Sequence, residues 1–270
     1  MAKTFSSSHG EIAFTDTETG DPAMILMHGL PTSKELWEPV LPLLNPAYRL
    51  VTFDLNDYGE SEKIGRHMSH KERADVLDEL RAYLDLSTFC LVAHDLGSSV
   101  AVDYMGKYAR HVSKLVLMSP PVYPDFKEPF LVKLVRLPVL GTLLVLLIKP
   151  LLFKIGIGDG MVHKERLTPE LLGAFSGPFS GSEGRAALLR ILRWGRPQPV
   201  FGDYPRIVKG ITAPTLILQG ERDPYIPLNQ ATRLGEDIAD AKVTLIKDGG
   251  HFLPIDTPAA VAEALNAFIG

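Results

Sequence analysis

Four short segments carry residues that could do chemistry, and each follows an apolar run of strand character: "HGLP" from His28, "HDLGSS" from His94, "GERDPYIP" from Gly220 and "GGHFLP" from Gly249. An aspartate with a pKa of about 4 is already ionised at neutral pH, so Asp95 could attack saturated carbon with no base to activate it. A histidine such as His251 could take a proton from water, and a second carboxylate such as Asp223 could hold the imidazole in one tautomer. Each residue alone also has a structural reading. Asp95 stands where a helix N-cap belongs, Asp223 precedes Pro224 in a turn, and His251 could be a loop histidine satisfied by backbone. Those readings leave unexplained why all three stand at strand ends, the edge where open α/β sheets bind ligands.

The corner at Asp95 is the most demanding of these places. A strand that turns sharply into a helix strains its corner residue and needs small neighbours two positions away, which Ala93 and Gly97 supply. The corner side chain then projects above the sheet, and the N–H of Leu96 points at any oxyanion beside it. The Gly29-Leu30 turn can offer a second N–H. Strand alternation directs His94 away from Asp95, so it reads as structural. Ser98 and Ser99 lie past the corner and read as helix packing.

The elements that must position these residues alternate. A hairpin over 3–17 is followed by strands at Met24 to His28, Leu50 to Asp54, Phe89 to Ala93 and Leu115 to Ser119. A helix is expected from about Ser33, another over the periodic Val76, Leu77, Leu80 and Leu84, and a third from the corner to about Tyr108. After "SPPVYP" the rhythm turns helical until about Tyr204, then strands at Thr215 to Gln219 and Lys242 to Ile246 and two more helices complete the chain. The expectation is an α/β fold with a mostly parallel central sheet, helices on both faces and an inserted helical cap. The core would be 1–121 and 205–270, with the cap at 122–204.

Composition narrows the partners. The balance of 28 Lys+Arg against 32 Asp+Glu shows no basic block, so no nucleic acid is expected. The single cysteine, Cys90, sits in a strand-like run and allows no disulfide within the chain. The first residues lack the apolar core of a secretory leader, and a cytoplasmic protein is expected. The apolar stretch Leu137 to Ile148 is 12 residues long, against the roughly 20 of a spanning helix, so it reads as cap helix over a pocket rather than a membrane contact. No metal-ligand spacing or nucleotide-binding glycine motif is present, and no cofactor is expected.

The element order, "HGLPTS", "AHDLGS", an acid after a late strand and the terminal "GGH" resemble the α/β-hydrolase fold over essentially the whole chain. An aspartate where that fold usually has the serine of G-x-S-x-G resembles its epoxide hydrolase and haloalkane dehalogenase branch. The resemblance implies Asp95 as nucleophile, His251 as general base, Asp223 as its orienting acid, and the N–H groups of Leu30 and Leu96 as oxyanion hole. It also implies a small apolar organic substrate with water as co-substrate. Dehalogenases of this branch usually place a Trp and an Asn as halide donors where this chain has Leu96 and Leu30. Epoxide hydrolases use two cap tyrosines, for which Tyr123, Tyr204 and, through its indole, Trp194 are the candidates. Asp57 replaces the first glycine of the usual D-x-x-G-x-G-x-S. The expectation is therefore epoxide opening through an alkyl-enzyme ester. The alternatives are haloalkane dehalogenation with other halide donors, or a ligand-binding protein that keeps only the fold.

Overall fold

Strands β3 (Ala23–Met27) and β5 (Phe89–His94) are buried at every residue, the pattern of parallel strands covered on both faces, and they pair side by side. The computed structural model describes residues 3–125, 130–193 and 201–270. Around that pair lie β1 (Lys3–Ser7), β2 (Gly10–Asp16), β4 (Arg49–Phe53), β6 (Val112–Met118), β7 (Thr215–Gly220) and β8 (Ala241–Ile246). The sheet has eight strands in the order β1-β2-β4-β3-β5-β6-β7-β8. Only the β1–β2 and β2–β4 pairings are antiparallel, as a hairpin feeding a parallel sheet requires. All strands from β3 to β8 therefore end at one edge. Asp95, Asp223, His251 and Leu30 follow four of those ends.

Helix α1 (His70–Tyr83) starts at a capping box in which Ser69 and Glu72 satisfy each other's backbone N–H groups, and its buried face carries Val76, Leu77 and Leu80. Helix α2 (Leu96–Tyr108) begins at the Asp95 corner. The helix expected from about Ser33 is not formed. Two 3-10 turns, Lys34–Trp37 and Leu41–Leu43, stand there instead. Pro39, Pro42 and Pro46 remove the N–H donors that a continuous helix would need.

Between β6 and β7 the described residues form helices and no strand. They are α3 (Phe130–Val135), α4 (Pro138–Gly158), α5 (Pro169–Ser176), α6 (Gly181–Arg193) and a short helix at Tyr204–Lys209. The two arms of α4 meet at 95°, next to Pro150, whose missing N–H and ring break the ladder. Phe153 and Ile157 turn inward, whereas Val139 and Leu147 are 74% and 72% exposed. No single helix among the described residues is long and apolar enough to cross a membrane, although the two arms of α4 together pass that test by length and composition. Trp194 lies outside the described residues.

Candidate active site

Asp95 holds φ 48° and ψ −121°, a conformation that non-glycine residues rarely adopt, and its side chain makes no N-cap bond to α2. The N-cap reading of this aspartate is thereby not met. The corner is kept by backbone: Asp95 N–H donates to the Met118 carbonyl at 2.9 Å, and Ser98 N–H to the Asp95 carbonyl at 2.8 Å. Two glycines make room for it. A Cβ on Gly29 would lie 2.5 Å from the Asp95 Cβ, and one on Gly97 2.6 Å from the His28 carbonyl oxygen. The turn that carries Leu30 is fixed by His28, whose Nε2 accepts the Leu55 N–H at 3.0 Å, leaving Nδ1–H for the Gly29 carbonyl at 3.0 Å.

The carboxylate is freed for the cavity, and its two oxygens differ. Oδ1 accepts the Leu30 N–H at 2.9 Å, while Oδ2 faces His251 Nε2 at 3.3 Å. On the far side of the ring, His251 Nδ1 is 2.9 Å from Asp223 Oδ2. The Asp223 carboxylate is fully engaged: Oδ1 takes the N–H groups of Tyr225 and Ile226, and Oδ2 also takes the Gln219 amide at 2.9 Å. Exposure falls along the line, from 15% for the Asp95 side chain to 3% for His251 and 0% for Asp223.

Burial alone would pull the His251 pKa down. The charge and hydrogen bond of Asp223, and then those of Asp95, outweigh it and raise His251 to about 10. Burial would push both aspartates up. The imidazolium outweighs it and holds both below the usual carboxylate value, assisted at Asp95 by the Leu96 N–H. These shifts favour an imidazolium between two carboxylates at neutral pH.

The loop bearing His251 is clamped by His94, read from the sequence as structural, and by Ser119, Gly160 and Asp256, which sequence reading passed over. Its carbonyl accepts from Ser119 Oγ at 3.0 Å and from His94 Nε2 at 2.9 Å, and its N–H donates to the Gly160 carbonyl at 2.6 Å. His94 is thus a brace under the loop, kept neutral because burial, then His251, lower it to about 4. Asp256 accepts N–H groups from Gly250, Val162 and His163, tying the same loop to the segment that follows α4. Gln219 and Ser119 had a local signal, each a polar residue closing an otherwise apolar strand. The other contacts join segments far apart in the chain.

Above Asp95 lies a cavity of about 220 Å³, walled mainly by apolar side chains of the core, among them Leu30, Leu96 and Phe252, and of the cap, among them Leu152 and Leu188. The structure does not bring Tyr123 and Tyr204 into it. Tyr123 Oη donates to Asp237 at 2.6 Å under the Arg233 guanidinium. Tyr204 Oη is held by Asp103, the Ser99 carbonyl and His70 Nδ1. The cavity wall instead contains Tyr58, whose hydroxyl is buried without a hydrogen-bond partner among the described residues. Its loop follows β4, so the strand-end rule that singled out the other segments applies to it as well. Asp57, beside it, takes φ 73° as the turn needs, and also accepts from Arg190 Nη2 at 2.8 Å, tethering α6 to the core. Ser98 and Ser99 bond to the carbonyls of Ala93 and Pro121, consistent with packing. No group of His, Cys, Asp or Glu among the described residues is arranged to hold a metal ion.

Comparison with known proteins matches residues 24–264 to the sequence model of a family described as alpha/beta hydrolase family. Epoxide hydrolase 3 of Xenopus tropicalis is 27% identical over 296 residues, spanning 98% of this chain and 79% of its own length. A haloalkane dehalogenase of Sphingobium indicum is 27% identical over 280 residues, spanning 96% of this chain and 91% of its own. An alpha/beta hydrolase fold protein from Burkholderia ambifaria superposes with a TM-score of 0.88 at 25% identity, covering 97% of this chain and 96% of its own.

Proposed function

The chain belongs to the alpha/beta hydrolase family, and on that premise we propose that it opens epoxides to diols through an ester formed on Asp95, with water as co-substrate. Its kinship with hydrolases places it among enzymes rather than among ligand-binding proteins that keep only the fold. The observation that carries the reading is the division of labour within one cavity-lining carboxylate: Oδ1 rests on the Leu30 N–H and Oδ2 faces the His251 imidazole. The cap that closes the cavity we place at 122–204.

In the first half-reaction Oδ2 attacks a ring carbon and the carbon–oxygen bond of the epoxide breaks. The oxygen leaves as an alkoxide and needs one proton, which the resting site already holds on His251. The Tyr58 hydroxyl, with no partner of its own, donates a hydrogen bond to that oxygen as it departs. Esterified Asp95 carries no charge, so the ring loses one of the two anions that kept it protonated and becomes a base.

In the second half-reaction His251 takes a proton from water as the water oxygen adds to Asp95 Cγ. The negative charge collects on Oδ1, at the N–H groups of Leu30 and Leu96. Collapse breaks the Cγ–Oδ2 bond. The departing oxygen takes the second water proton, and the Asp95 carboxylate and imidazolium are restored. Halide displacement needs no proton in its first step, and the side chains of Leu30 and Leu96 offer no donor to a halide. Both points favour the epoxide.

A single turnover in heavy-oxygen water tests this route, with a terminal alkyl epoxide as probe. The label should appear in the peptide containing Asp95 and not in the first diol released. Label in that diol would mean that water attacks the epoxide directly.

A further inference from the structure

Arg73, on α1, is only 4% exposed, yet it lines the substrate cavity together with Asp95. Its Nη1 donates to the Asn56 carbonyl at 2.7 Å, and its guanidinium lies 5.6 Å from the centre of the Tyr58 ring. Among the described residues it has no carboxylate partner. The two acids nearest to it in charge are engaged elsewhere: Asp57 with Arg190 and the Ile64 N–H, Glu72 with Ser69 and Arg66. The histidines beside it do not share its charge. Burial and then Arg73 itself hold His67 and His70 down, to about 4 and about 3. A cation taken out of water without a counter-charge is a standing cost that folded proteins avoid unless something supplies the partner. The triad carboxylates do not pair with it either: Asp95 and Asp223 both face His251, and the charges that act on Arg73 are those of Tyr58, Asp57 and Glu72.

We infer that the missing partner comes with the substrate, and that this cavity takes amphiphilic acids whose carboxylate meets Arg73 while the apolar body fills the space under the cap. A planar guanidinium with free N–H groups matches a carboxylate in a forked pair. A phosphate would need further donors that an otherwise apolar wall does not offer. The inference rests on the reading of this cavity as a substrate site and narrows it, from apolar epoxides in general to epoxides that carry a carboxylate.

The test uses binding, so that it stands apart from turnover. Octanoate and octanamide have the same chain and differ in charge, and neither carries an epoxide. By calorimetry at neutral pH the wild-type protein should bind octanoate about ten- to a hundredfold more tightly than octanamide, as a hydrogen-bonded charge pair implies. Arg73→Met should erase that preference while leaving octanamide affinity within about threefold of wild type, since the neutral amide has no charge to pair with the guanidinium. Arg73→Lys keeps the charge but loses the fork. It should retain a reduced preference, which serves if the methionine variant does not fold. Equal binding of the two ligands by wild type overturns the inference. So does an undiminished preference in folded Arg73→Met or Arg73→Lys. Failure of the epoxide reading would show separately, as carboxylate-selective binding with no turnover of 7,8-epoxyoctanoate.

Discussion

Asp95 Oδ2 and His251 Nε2 stand 3.3 Å apart, a carboxylate against an imidazolium, with the second imidazole nitrogen 2.9 Å from Asp223. The pair is therefore a proton store whose content depends on the charge of Asp95. Asp95→Asn should lower the His251 pKa from about 10, read by nitrogen-15 NMR of the ring. The sign for stability follows. His251 is raised from 6.5, so its contribution is complete below that value and is lost as pH rises through about 10. In Asp95→Asn this loss should begin at lower pH, seen as an earlier fall of Tm on the alkaline side. An unchanged ring titration would contradict the coupling.

The same store separates the two candidate chemistries. Epoxide opening consumes the His251 proton, so its single-turnover rate should fall as pH rises through about 10, whereas displacement of a halide should not. His251→Gln should form the Asp95 adduct slowly with an epoxide and fail to hydrolyse it. Intact mass should then show the protein plus the whole epoxide. Prompt adduct formation from a bromoalkane in the same variant, with loss of hydrogen bromide, would favour dehalogenation.

Tyr58→Phe deletes a hydroxyl that has no partner among the described residues, so stability should hold to within about 0.5 kcal/mol. Loss of one hydrogen bond to a developing alkoxide should slow epoxide opening by about 10- to 100-fold. Tyr204→Phe is the reverse case. It leaves Asp103 and His70 without their shared hydroxyl and should cost about 1 to 3 kcal/mol of stability with little effect on the opening step. Thermal denaturation and single-turnover rates measure both, and equal kinetic effects would remove Tyr58 from its role.

Leu30 and Leu96 both line the cavity, and their side chains can hydrogen-bond no halide. Two charge-assisted donors at about 1.5 to 3 kcal/mol each correspond to roughly 10²- to 10⁴-fold in the displacement step. Leu96→Trp with Leu30→Asn should raise bromide release from a short bromoalkane, measured by halide titration on protein whose melting is unchanged. Fast release by wild type would instead show that another donor is already in place.

The strands, the corner and the three chemical residues were legible in the sequence because each depends on local rules. Apolar runs of strand length mark β3 to β8, and only small residues at Ala93 and Gly97 tolerate the turn at Asp95. Parallel connection then brings every strand end to one edge, so Asp95, Asp223 and His251 meet without any knowledge of packing. The helix expected after Ser33 was a misreading: Pro39, Pro42 and Pro46 outweigh its apolar spacing, and two 3-10 turns form there. The directions of Tyr123 and Tyr204 were not legible. Each hydroxyl goes to a polar group of a distant segment, Asp237 in one case and Asp103 in the other, and only the packed helices decide which lies within reach. Tyr58 and Arg73 show the converse. The Tyr58 loop follows a strand end, but neither "DLNDYGES" nor the pattern along α1 tells which side chain lines the cavity, because a side chain acquires that surrounding only when the helices and the core pack over it.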